Sequence, residues 1–264
     1  VKINALLLGP IGTGKTYSLR TFLDVGIDVF ILSLEPGVAA TLEETDEAHV
    51  HWHYIKPANV DWDTLSESAS LLNRLPIDAV IKTNSANKQE YNQFLQIYSS
   101  CAEFECDRCG KKFGAVDSWG ENRAFAIDGL TNLSRMAMQC VAGASPIRSQ
   151  PQWYAAQGLV ENFLVKCTGD LGCSFVLISH VDREIDQVRG GQILTVSTLG
   201  RALAPKIPPM FDEVIFAKRE GNKFKWSTAD VDVDLKARRL PISDDLEPSF
   251  AQIFKNAKKN GKKK

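Results

Sequence analysis

The sequence predicts an α/β fold: a mostly parallel, twisted sheet flanked by helices, with antiparallel strands toward the C-terminus and a small Cys-rich insertion. Three observations predict it. Apolar runs of strand length alternate with stretches of helical spacing, the pattern of a parallel sheet covered on both faces. The octapeptide Gly9-Pro10-Ile11-Gly12-Thr13-Gly14-Lys15-Thr16 fits G-x-x-x-x-G-K-[ST] at every fixed position and stands between the first apolar run and a helical pattern. Beyond Gly190-Gly191 the pattern changes to short strands with tight turns.

Taken in order, residues 3–8 read as a buried strand and 15–23 as a helix. Residues 29–34 form a second buried strand, stopped by Glu35-Pro36-Gly37. The acidic stretch 41–51 reads as surface, and 51–55 as a short strand. Val60, Leu65, Leu71 and Leu72 give 59–75 helical spacing, and a further helix over 88–98 leads into the Cys-rich stretch 101–119. Residues 123–127 form a strand ending in Asp128, followed by a helix over 131–141, a loop over 146–151 and a helix over 153–167. A buried strand over 174–179 ends in His180. Short strands follow at 193–197, 213–217, 223–227 and 231–235, with Glu220-Gly221-Asn222 as a hairpin turn. They are expected to extend the main sheet antiparallel. A helix over 249–256 closes a domain spanning 1–254, with the Cys-rich insertion at 99–120 and a basic flexible tail at 255–264.

Composition excludes several classes. With 44% hydrophobic and 24% charged residues the chain is globular rather than disordered. A net charge of −1 provides no global field toward nucleic acid or membrane, so any nucleic-acid surface is local. The Lys-rich tail is one such patch, or simply a solubilising terminus. No apolar run approaches the roughly 20 residues of a membrane helix. The N-terminus opens on the first strand, which is read as lacking a signal peptide. Six cysteines in 264 residues do not make a secreted disulfide scaffold, and a cytoplasmic location is expected.

The octapeptide carries the sharpest chemistry. Gly9, Gly12 and Gly14 let the backbone wrap an anion and, with Thr13, aim N–H groups at it. The helix N-terminus adds partial positive charge. Lys15 is placed to reach β/γ-phosphates, and the Thr16 hydroxyl to bind Mg²⁺. A carboxylate on an adjacent strand is needed for the metal, and Asp128, at the end of an apolar strand, is the candidate. The next residue is Gly129, so no glutamate adjoins Asp128 to activate a water. Glu35, at the end of the strand after the loop's helix, is the candidate base. His180, at another strand end, can hydrogen-bond phosphate in either protonation state.

These strand ends resemble those of the RecA-like P-loop ATPases, and within them the phage and prophage NTP-binding proteins that include Sak-type recombinases. Gln152-Trp153-Tyr154 and the stretch 203–214 are similar too. The resemblance implies ATP and Mg²⁺ as cofactors and hydrolysis coupled to single-stranded DNA in a homo-oligomeric ring or filament. It also implies a role in recombination or replication alongside a single-strand-binding protein, and no membrane. In such assemblies a neighbour supplies a basic finger; Arg201, Lys206, Lys218 and Arg219 are candidates, Arg201 and Lys206 foremost. Arg183 and Arg189 fall where that plan carries a DNA-contacting loop. Two alternatives stay open: a P-loop small-molecule kinase, against which stands the lack of an Arg-rich lid cluster, and a nucleotide-gated assembly or packaging component.

Cys101-x4-Cys106-x2-Cys109-Gly110 contains the Cys-x2-Cys-Gly turn of zinc knuckles. Cys101 is the candidate third ligand for Zn²⁺. Cys140, Cys167, Cys173, His51 and His53 remain open as the fourth, as does a site without metal.

Overall fold

The computed structural model describes residues 1–56, 62–76, 91–143, 148–185, 190–230 and 232–261. In chain order the elements are β1 (Asn4–Leu8), α1 (Lys15–Ser18) continued by a 3-10 segment (Leu19–Val25), β2 (Asp28–Ser33), α2 (Val38–Leu42), β3 (Val50–Tyr54) and α3 (Trp62–Arg74). Next come α4 (Gln93–Ala102), β4 (Arg123–Asp128), α5 (Leu130–Ala142), α6 (Gln150–Gly169), β5 (Ser174–Ser179), β6 (Val181–Ile185) and β7 (Gln192–Val196). The chain ends with β8 (Glu213–Glu220), β9 (Lys223–Ser227) and α7 (Ala251–Gly261). None of the described helices is long and apolar enough to cross a membrane.

Among the described residues, seven strands form one sheet in the order β3-β2-β4-β5-β1-β8-β9. Every neighbouring pair is parallel except β8 with β9. Alternate side chains feed two cores, as the two-residue period of a strand requires. Leu6, Leu8, Phe30, Leu32, Phe125 and Ile127 pack with Leu133 of α5 and Phe163 of α6. Ala5, Leu7, Val29, Ile31 and Ala126 pack on the opposite face with Phe22 of the 3-10 segment and Phe250 and Ile253 beside or within α7. All five residues of β1 are buried, consistent with helices on both faces.

The register aligns four strand ends on one edge. Leu8 lies opposite Ser179, Asp128 opposite Ile178, and Ser33 opposite Asp128. The loops that leave β1, β2, β4 and β5 therefore start side by side, where ligands collect in sheets of this kind.

Several sequence expectations are corrected. Among the described residues, the expected antiparallel extension is one strand: β8 joins parallel to β1, and β9 folds back through the turn at Gly221. The strand expected at 193–197 instead pairs with β6 in a separate two-stranded hairpin. β6 was not expected as a strand, because its residues are mostly exposed and carry no apolar run. The expected strand at 231–235 is reduced, among the described residues, to an isolated bridge at Val233, with a second bridge at Lys236 just beyond it. The helix expected over 15–23 is a single α-turn that tightens into 3-10 geometry. Pro151, expected in a loop, lies in the first turn of α6, where its missing N–H costs nothing. The tail read as flexible from 255 continues α7 to Gly261. Arg189, Val60 and Lys88 lie outside the described residues.

Candidate functional site

Gly14 caps α1 in the left-handed conformation (φ 76°), which frees the first N–H groups of the helix to point into the loop. Gly9 cannot be replaced for a different reason. A Cβ there would run into the Ala217 carbonyl oxygen on β8. Thr13 Oγ1 donates to the Pro10 carbonyl at 2.8 Å and closes the loop on itself. The Lys15 ammonium, buried within the loop, donates to the carbonyls of Gly9 and Pro10 at 2.8 and 2.7 Å. Burial pushes its pKa down to about 8, against the opposing pull of Asp128 and Glu35.

Thr16 Oγ1 donates to Asp128 Oδ2 at 2.6 Å, which ties the loop's helix to the end of β4. Asp128 is buried, and that burial pushes its pKa up to about 6; the Thr16 hydrogen bond pulls the other way. A hydroxyl beside a buried carboxylate whose charge its surroundings undercompensate is a hard-oxygen donor set that fits Mg²⁺.

Glu35 reaches the same edge from β2. Its loop is held by Ser33 Oγ donating to the Glu35 carbonyl at 2.7 Å and by Asn132 Nδ2 donating to the Leu34 carbonyl at 3.0 Å. Glu35 Oε2 lies 3.2 Å from His180 Nε2. That hydrogen bond holds the Glu35 carboxyl below the usual range, although burial opposes it. Gly129 makes the geometry possible. A Cβ on it would sit 3.0 Å from Glu35 Cγ and 3.2 Å from Glu35 Oε1. The residue that denies Asp128 a neighbouring glutamate is also the one that lets Glu35 occupy the place.

Lys15, Thr16, Glu35, Asp128 and His180 thus line one cleft of about 350 Å³, together with the loop glycines 12 and 14 and Thr13. Sequence reasoning missed Tyr17, Thr41 and Phe224, which also line it. Phe224 lies on β9, with its ring 3.3 Å from where a Gly14 Cβ would be. The available signal was an apolar residue between Lys223 and Lys225, on the face that would otherwise meet solvent. A larger, mostly apolar groove of about 540 Å³ runs between β7 and residues 204–209. It holds none of the phosphate-loop residues, so the smaller cleft is the candidate site.

The remaining predicted residues stand elsewhere. Arg201, 89% exposed, pairs with Glu184 at 3.7 Å, and Lys206 pairs with Glu161 at 2.9 Å. Lys218 pairs with Glu220, and Arg219 stacks over Phe224. Arg183 is exposed on β6. In the insertion, Cys106 and Cys109 meet His51 of β3, with their ligand atoms within 4.8 Å of one another. Cys101 is not part of that group. It sits half-buried on α4 near Cys167 of α6 and Asp117, and desolvation pushes its thiol up to about 12. Helix packing therefore removes it from the knuckle. His53 pairs with Asp107, and Cys140 and Cys173 pack in or against the core.

A family model described as an AAA domain matches residues 1–239. No curated protein matches the chain. Among solved structures, a prototypical ATPase from the type III secretion system of pathogenic bacteria aligns at 10% identity with a TM-score of 0.38. The alignment covers 83% of this chain and 53% of that one, so the chain spans about half the length of that protein.

Proposed function

Because the chain belongs to the AAA domain family of P-loop ATPases, we propose that it hydrolyses ATP at this cleft and couples the reaction to single-stranded DNA, as in phage-type recombination. The phosphate loop and Lys15 bind the β/γ-phosphates, and Thr16 and Asp128 would hold Mg²⁺. When bound, that ion neutralises charge on the transferring phosphoryl group. Glu35 orients the attacking water and accepts its proton.

One observation carries the coupling: the Glu35–His180 hydrogen bond at 3.2 Å. His180 is followed at once by β6, the first strand of a hairpin outside the main sheet. A change in the Glu35–His180 contact on loss of the γ-phosphate would be felt at the base of that hairpin. Arg183, exposed on β6, is suited to a nucleic-acid phosphate. Among the described residues, His180 Nδ1 is buried without a hydrogen-bond partner, so this ring nitrogen is unsatisfied in the present arrangement.

Arg201 suits the finger that completes a neighbour's site in a homo-oligomer. It is nearly fully exposed, and its loose 3.7 Å ion pair would be given up at little cost. Lys206 is held more closely by Glu161.

The test is the ATPase rate of the full chain with and without an oligo-dT strand. Stimulation by DNA, lost in Arg183→Ala, is expected. A rate indifferent to DNA, together with phosphoryl transfer to a nucleoside, would point to a kinase and sink the proposal. For the finger, Arg201→Ala chains mixed with Lys15→Ala chains should recover part of the activity that each lacks alone.

A further inference from the structure

The Cys-rich insertion does not hang free. It folds as a narrow ribbon, with Phe113 N–H donating to the Phe104 carbonyl at 2.9 Å and Glu105 bridged to Lys112. At its tip the Gly110 N–H donates to the Cys106 carbonyl at 2.8 Å, and Gly110 takes φ 66°, which turns the chain tightly enough to bring both thiols to one side.

This tip sits on β3, the last strand on its side of the sheet among the described residues. Asp107 N–H donates to the Trp52 carbonyl at 2.8 Å, and Tyr54 N–H donates to Asp107 Oδ2 at 2.7 Å. The insertion thus satisfies backbone groups that an edge strand would otherwise leave open to another chain. Arg108 reinforces the seat by donating to the carbonyls of Glu43 and Thr45.

His51, one residue before Trp52, completes the arrangement. Its ring packs between Phe30 (4.8 Å between centroids) and Phe113 (4.2 Å). Its Nδ1 lies 3.8 Å from Cys109 Sγ. In a tetrahedral zinc site, sulfur and nitrogen ligands stand about 3.6 Å apart and two sulfurs about 3.8 Å. The group as it stands is within a small closing movement of that geometry.

We propose that His51 Nδ1, Cys106 Sγ and Cys109 Sγ bind one Zn²⁺, with water in the fourth position, and that the ion clamps the insertion onto β3. The ligand set draws on two segments more than 50 residues apart, so the metal closes a long loop as well as a turn. Two thiolates with an imidazole select zinc over the hard cations. The site is separate from the phosphate cleft, and none of its ligands lines that cleft.

The experiment is elemental analysis of the full chain, expressed with zinc and purified without chelator. It is paired with Co²⁺ substitution read by thiolate-to-metal absorption. One zinc per chain is expected, together with a tetrahedral cobalt spectrum showing thiolate charge transfer. His51→Ala and Cys106→Ser should lose the metal, whereas Cys101→Ser should keep it. Chelation should lower the melting temperature and promote self-association through the uncovered edge. Zinc well below one per chain in the unmodified protein overturns the proposal. So does metal that survives His51→Ala and is lost in Cys101→Ser. If His51→Ala does not fold, the cobalt spectrum of the unmodified chain still decides, since a spectrum without thiolate charge transfer rejects the site.

Discussion

His180 Nε2 and Glu35 Oε2 lie 3.2 Å apart, 145 residues distant in the chain. They stand on the loops leaving β5 and β2, the two strands that flank β4. The bond therefore spans the end of β4, directly over Asp128 and Gly129. A carboxylate and an imidazole bridged across Asp128, the aspartate proposed to hold Mg²⁺, are placed to sense a γ-phosphate together.

The first prediction concerns acidity. Glu35 is held below its ordinary 4.5 chiefly by the His180 hydrogen bond, with the nearby charges of His180 and Lys15 adding to it. His180→Ala removes the principal cause and leaves burial, which raises the pKa. The acid limb of the pH–rate profile should shift to higher pH. An unchanged limb would mean that Glu35 is not the base. Glu35→Gln should keep nucleotide binding and lower turnover by about 10²–10⁴-fold.

Gly129→Ala should act like a milder Glu35 variant. The backbone there has φ 119°, which a side chain rarely adopts, and the new methyl would press on Glu35 Cγ. Turnover should fall, with nucleotide affinity much less affected. Steady-state hydrolysis set beside equilibrium binding of a fluorescent nucleotide separates the two. Equal losses in both would mean that the loop, and not Glu35, had moved.

Lys15→Ala should abolish the thermal shift that ATP produces in the unmodified chain. The side chain touches only the Gly9 and Pro10 carbonyls among the hydrogen bonds it makes, so the fold should persist. Retained nucleotide binding, measured by calorimetry, would contradict the assigned cleft.

Asp128→Asn should stabilise the nucleotide-free chain at neutral pH while removing Mg²⁺ dependence. The folded pKa of about 6 lies above the ordinary 3.8, so the group's favourable contribution is complete below pH 3.8 and is lost as pH rises through 6. At pH 8 the ionised side chain costs on the order of 3 kcal/mol, which Asn avoids. Melting temperatures at pH 5 and pH 8 check the sign: the gain from Asn should be larger at pH 8. For the same reason, Mg²⁺-dependent nucleotide binding to the unmodified chain should weaken below pH 6.

Much of this was legible in the residues. The phosphate loop shows itself because its glycines, Lys15 and Thr16 are adjacent in the chain and serve one ligand. Asp128, Glu35 and His180 show themselves as polar residues ending apolar runs. Cys101 misled because proximity in sequence to Cys106 and Cys109 says nothing of which way a helix turns it; α4 packs it toward α6 instead. His51 was one of five open candidates because nothing local distinguishes it. Phe224 was missed because its role depends on β9 folding back beside the loop.

The sequence by itself determined the local chemistry: where strands begin, where glycine lets the chain wrap an anion, and which polar groups end each strand. These follow from short-range sterics and hydrophobic period, which act over a few residues. Only the tertiary structure decided which of those groups meet. The strand order β2-β4-β5 brings Glu35 and His180 together over Gly129, and the packing of the insertion on β3 brings His51 to the cysteines. Both meetings depend on long-range pairing, set by how whole strands and helices bury their apolar faces, and no spacing in the chain encodes that directly.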